Sequence, residues 1–341
     1  MTLISGPDLP ETAPPVEERE ITVGMSQGRL IMRRFLHNKV AIVSFVVFAL
    51  VVVLSLTSVG AFGIPGWWKW QYNDLGDGLL NGGAPTLSLI PEWLGGDGIH
   101  LGEHPFGQTL IGIDYFAMTM RGVQNSLIVM FVIGILIAVI GTVVGAVAGY
   151  YRGWVESLLM RFTDLVIVIP VIVLGAVVGQ IAAVHFGGLG VLGLSIVLGL
   201  FLWTGLARLV RGEFLTLRER EYVDAARVFG AKDSRIIFRH ILPNAIGVVI
   251  VATTLVMAAA ILLETALSFI GFGIRSPDVS LGLIISQNQT AIGTRPYLFL
   301  WPGFFIVIIA LTVNFIGDGL RDAFDPRQSK FVARKMKEPK Q

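Results

Sequence analysis

The chain has 341 residues, of which 54% are hydrophobic and only 15% charged, with a formal net charge of +2. That balance is too apolar for a soluble domain of this size and puts the chain in a membrane. Cysteine is absent, which excludes disulfide frameworks, thiolate metal sites and cysteine nucleophiles, and the five histidines are too scattered to make a metal site.

Residues 1 to 24, rich in Pro and Glu, read as a disordered cytosolic tail without the basic, apolar, small-residue succession of a cleaved signal peptide. A helix crosses the hydrocarbon core with roughly 20 mainly apolar residues, because its backbone polar groups must all be satisfied within the segment. Six stretches qualify, near 40–62, 125–150, 158–181, 188–210, 246–271 and 298–317. The expectation is an all-α membrane protein with six transmembrane helices. Its parts are an amphipathic segment with the first span at 25–62, an extracytoplasmic segment at 63–120, a core domain at 121–322 and a basic cytosolic tail at 323–341. An even number of spans puts both ends on one side. With the N-terminus inside, all of the 26 Lys and Arg except Lys69, Arg121, Arg275 and Arg295 fall in inner segments, as retention of basic flanks in the cytoplasm requires.

Along the outer segment, Trp67, Trp68, Trp70, Tyr72 and Trp93 are suited to anchoring at the membrane interface. Within the spans Gly141, Gly145 and Gly149 recur every fourth residue, as do Gly175 and Gly179, which predicts tight helix packing. The stretch 212–245 is different: it is charged, lies between two very apolar segments and is cytosolic in the orientation above. As a helix, residues 219–229 place Tyr222, Ala225, Ala226 and Phe229 on one apolar face, with Glu221, Asp224 and Arg227 directed elsewhere. Gly230 ends that helix through a left-handed turn. Asp233 or Ser234 then caps a second short helix bounded by Pro243. Such a basic, amphipathic element could lie on lipid headgroups; the order of its residues favours docking to a protein.

Two carboxylates stand in or near spans. Glu264 is the deepest, placed to line a pathway, to meet a cationic group of a substrate, or to make a structural hydrogen bond to a neighbouring helix. Asp164, one turn from Arg161, is expected to form an i, i+3 ion pair with it. No Ser/His/Asp or paired-carboxylate arrangement suggests a hydrolase, and nothing points to nucleic acid.

The order Asp224, Ala225, Ala226, then Gly230, then His240, Ile241, Leu242, Pro243 resembles the EAA signature of permease subunits in binding-protein-dependent ABC importers. RRFLHNK at 33–39, HPFG at 104–107, AGYYRGWVESLLMRFTD at 148–164, ARLVRGE at 207–213, ETALSFIGFG at 264–273 and GDGLRDAFDPR at 317–327 extend the likeness to the dipeptide, oligopeptide and nickel branch over roughly residues 30–330. Asp224 stands where the signature has Glu, and Gln108, Thr109, Ile113 and Met118 stand in the outer stretch where the branch reads close to HPLGTD, then GRD, with further arginines, so that charges usual there are lost.

The resemblance implies a type I importer permease working with a homologous second permease in a heterodimer. Two cytosolic ATPases and an extracytoplasmic binding protein that delivers peptides or a related solute complete the implied complex. The helices at 219–241 would be coupling helices, with Ala225, Ala226 and Gly230 setting docking geometry, Glu221 and Asp224 making polar contacts, and Leu242 with Pro243 fixing the junction to the fifth span. The chain has no Gly-Lys dipeptide and so no phosphate-binding loop of its own. No cofactor is expected on it; ATP and Mg belong to the partners. Two other classes stay open at this stage: an ion-gradient-driven transporter using Glu264 and Asp164, and a scaffold without a pathway.

Overall fold

The computed structural model describes residues 27–324 apart from 62, 77, 89–90, 95–97, 187 and 189. The tail expected at 1–24, and most of that at 323–341, lie outside the described residues. Twelve α-helices occur in order among them: α1 (Gln27–His37), α2 (Lys39–Ser58), α3 (Tyr115–Tyr151), α4 (Gly153–Val168), α5 (Val171–Phe186), α6 (Gly190–Leu202), α7 (Thr204–Leu217), α8 (Glu221–Val228), α9 (Asp233–Arg235), α10 (Leu242–Phe269), α11 (Leu281–Asn288) and α12 (Tyr297–Phe324).

Four continuous helical segments are long and apolar enough to cross a membrane: Lys39–Ser58, Tyr115–Tyr151, Asp233–Phe269 and Tyr297–Phe324. The third and fourth expected spans are each broken. α4 and α5 meet at a bend of 73°, α6 and α7 at 41°, so the total is six only if each bent pair is one span. Pro170 explains the first break, since it offers no N–H and holds Ile169 extended (φ −74°, ψ 117°). At the second, the Trp203 indole N–H donates to the Leu200 carbonyl at 2.8 Å, taking up an acceptor near the bend.

α3, about 55 Å long at 1.5 Å per residue, is the central post and packs against α6, α7 and α10, while α12 packs against α2 and α10. The glycine ridge of α3 lies directly on α7. A Cβ at Gly145 would sit 2.5 Å from the Ala207 carbonyl oxygen, and one at Gly149 2.6 Å from Phe214 Cβ. Gly175 and Gly179 are used the same way against Leu267 and the Phe272 backbone. The expected tight packing is borne out at both repeats.

α3 begins well before its apolar run because Asp114 caps it, accepting the Ala117 N–H at 2.8 Å. The same carboxylate accepts from the Trp68 indole at 2.9 Å and meets His104 Nδ1 at 2.7 Å in a buried pair. Trp70 stacks on His104, and Tyr72 lies beneath the Arg121 guanidinium. Trp68, Trp70 and Tyr72, all half-buried, thus fasten the outer segment internally, whereas Trp67 and Trp93 are exposed. Gln108 is internal too, its amide holding the Leu80 N–H and the Gly78 and Gly112 carbonyls.

Candidate coupling site

Between α7 and α10 the chain forms a bent helical loop. α8 ends in the geometry that a glycine permits: Gly230 has φ +74°, its N–H donates to the Arg227 carbonyl at 2.9 Å, and the Ala231 N–H reaches back to the Ala226 carbonyl at 3.0 Å. These are the paired bonds of a Schellman ending. The bend expected at Gly230 is present.

Beyond the bend the chain departs from expectation. α9 runs without interruption through a π turn, Ile236–Ile241, into α10, and Pro243 sits in the first turn of α10 instead of bounding a separate helix. Proline fits there because the preceding backbone is already in wide i→i+5 bonding, with the Leu242 N–H on the Ile237 carbonyl. Neither Asp233 nor Ser234 caps: Lys232 holds the cap position with no side-chain bond. The Asp233 carboxylate instead accepts the Tyr150 hydroxyl at 2.7 Å.

The apolar face expected on α8 is divided. Ala226 turns inward with fully buried Val223, a residue outside the expected stripe, whereas Tyr222, Ala225 and Phe229 stay exposed with Glu221 and Asp224. The i, i+3 pair of Val223 and Ala226 is the signal in the sequence for the inner face. Val228 and Phe229 are the most outward, at 86% and 89% exposure, and Phe238 on the π turn is exposed as well, beside Val143 and Tyr151 of α3. Asp224 is bridged to Arg227 at 3.1 Å. Leu242 is half-buried against the core around α3 and α7, and Pro243 is exposed.

Tyr150, at the end of α3, ties the loop down. Besides its bond to Asp233, its carbonyl accepts from Arg218, and its ring faces the guanidinium groups of Arg218 and Arg227 at 5.9 Å each. Nearby, α4 is clamped to α7 by Arg211 with Glu156 and by Arg208 with Asp164. Asp164 thus pairs across helices with Arg208, not with Arg161 as expected. The interhelical partner lies 44 positions away and leaves no local pattern.

Glu264 lies far from this loop. It is fully buried in α10, accepting from Ser126 of α3 at 3.1 Å and from Ser268 at 2.7 Å, and Ser268 also accepts the Ile274 N–H at 3.0 Å. Of the three roles its sequence position allows, these surroundings match a structural hydrogen-bond centre that joins α3, α10 and the turn after α10.

A bundle of membrane-length helices carrying a polar, bent loop on one end is the architecture of a multi-pass membrane protein. The profile of the family described as binding-protein-dependent transport system inner membrane component matches residues 141–330, and that of the N-terminal TM domain of oligopeptide transport permease C matches 26–77. Among curated proteins, the oligopeptide transport system permease protein OppC of Mycobacterium tuberculosis is 36% identical over 301 residues, covering 88% of this chain and 95% of its own length. OppC of Haemophilus influenzae is 33% identical over 317 residues, covering 93% and 94%. A chain of the inward-facing MetNI methionine ABC transporter superposes with a TM-score of 0.51 at 23% identity, over 61% of this chain and 96% of that one. The chain belongs to the family of inner membrane components of binding-protein-dependent transport systems, and is a multi-pass permease subunit of an ABC importer. The ion-gradient-driven alternative is set aside by that membership.

Proposed function

We propose that this permease imports peptides, handed over by an extracytoplasmic binding protein, and that it forms the pathway with a homologous second permease. Two cytosolic ATPases, which hold the ATP and Mg, dock on the loop of α8, Gly230 and α9, with both chain ends in the cytosol. The peptide assignment rests on the two OppC relatives, and the orientation on the distribution of basic residues.

One observation carries the docking site: Tyr222, Ala225, Val228 and Phe229, apolar residues within one short helix and its end, are all exposed on a loop otherwise rich in charge. These residues are framed by Glu221, Asp224 and Arg227, the mixture of apolar centre and polar rim used by protein partners. A lipid-facing role would call for apolar residues alone on one side, whereas here acidic groups flank them. Force applied to the loop would pass along α10, because no break separates α9 from it. The test is purification of the complex carrying Phe229→Asp with Ala225→Glu. The expected result is a folded permease pair that loses its ATPases; retained ATPases with normal peptide uptake would refute the docking assignment.

A further inference from the structure

α1 is the feature that the transport reading leaves unused. It joins α2, a membrane span, through the single residue Asn38, so it lies where that span meets the bilayer surface. One face is fixed to α12: Arg34 donates to the Ala323 carbonyl at 3.4 Å, Asn38 to Asp322 at 3.4 Å, and Phe35 packs over Gly319. The remaining surface has two flanks of opposite character. Met32 and Leu36, one turn apart, are 58% and 59% exposed. Arg29, Arg33 and His37 succeed one another every fourth residue on the other flank, all exposed, with His37 Nδ1 donating to the Arg33 carbonyl at 2.8 Å. Lys39 extends the basic side, and the first turn of α1 holds no acidic residue.

We propose that α1 binds anionic phospholipid headgroups, with Arg29 and Arg33 engaging phosphates while Met32 and Leu36 enter the acyl region beside the start of α2. An interfacial helix needs both an apolar flank and a cationic one, and here they stand side by side on a helix that its own span holds at the right depth. The opposite face, already engaged with α12, keeps the orientation fixed, so that lipid binding and the seating of α12 are coupled. The inference rests on the membrane placement of α2 and does not depend on which solute is carried or where the ATPases dock.

The test is hydrogen exchange of residues 28–37 in the full transporter complex, held in nanodiscs of phosphatidylcholine alone or mixed with phosphatidylglycerol. Phosphatidylglycerol should slow exchange by on the order of fivefold for each arginine engaged, and high salt should reverse much of that. Arg29→Gln with Arg33→Gln should remove the difference between the two lipids, and Arg29→Lys with Arg33→Lys should keep most of it. Equal exchange of the unmodified protein in both discs would overturn the proposal. So would a full phosphatidylglycerol response in the glutamine variant, or slowing by soluble glycerol phosphate in phosphatidylcholine discs, which would indicate a free-anion site.

Discussion

Tyr150 and Asp233 are 83 residues apart in sequence and joined by a 2.7 Å hydrogen bond, which fastens the end of α3 to the start of the helix that becomes α10. The bond links the central post of the bundle to the loop proposed to receive the ATPases.

Tyr150→Phe removes only this hydroxyl and keeps the ring beneath Arg218 and Arg227. A net loss of about 1 kcal/mol in stability is expected from one hydrogen bond. In reconstituted vesicles, ATP hydrolysis should persist while peptide uptake per ATP falls. Unchanged uptake per ATP would show that the bond carries no coupling.

Gly230→Val introduces a β-branched residue at φ +74° although space is open around it. Backbone strain of roughly 1–3 kcal/mol should distort the end of α8 without touching the membrane core. The complex should bind its ATPases more weakly, whereas Gly230→Asn, which tolerates that conformation, should behave nearly as the parent.

Gly145→Val tests the α3 ridge. The added side chain would strike the Ala207 carbonyl, a backbone atom that cannot turn away. We expect destabilisation of about 1–3 kcal/mol or more, read as a lower melting temperature in detergent and poor recovery of assembled complex.

Glu264 separates a structural centre from an ion-carrying group. Glu264→Gln keeps one acceptor oxygen and replaces the other by an amide N–H that can donate to a serine oxygen, so one serine hydroxyl must turn and transport should survive with a modest fall in stability. Glu264→Leu strands those hydroxyls, each at about 1–3 kcal/mol, and should abolish folding or assembly. Loss of uptake in a well-folded glutamine variant would point to an obligatory charge.

Much of this architecture can be read from the chain. The apolar runs give the spans, the every-fourth glycines give the α3 ridge, and Gly230 gives the bend, since each is local and has a fixed period or conformation. Pairings across the bundle are not legible. Asp164 finds Arg208, Asp233 finds Tyr150 and Trp68 finds Asp114 only after the helices have packed. Pro170 is a breaker in the sequence, but the length of the apolar run around it suggests one straight span. The inward turn of Val223 is hidden because four other apolar residues on α8 and its end offer an equally regular stripe.

The unbroken passage from Asp233 to Phe269 has a mechanical consequence. A strut of 37 residues, about 55 Å from end to end, carries a displacement of its loop end along its length, with the π turn at Ile236–Ile241 as the place where it can flex. Tilting the strut by a few degrees would swing the far extremity, where Glu264 accepts from Ser126 of α3, through several ångströms relative to α3 unless that hydroxyl lets go; Ser268, on the same helix, moves with Glu264. The Ser126 bond therefore ties the far end of this strut to α3, so that a rigid tilt of α10 and the loss of that bond belong to one event.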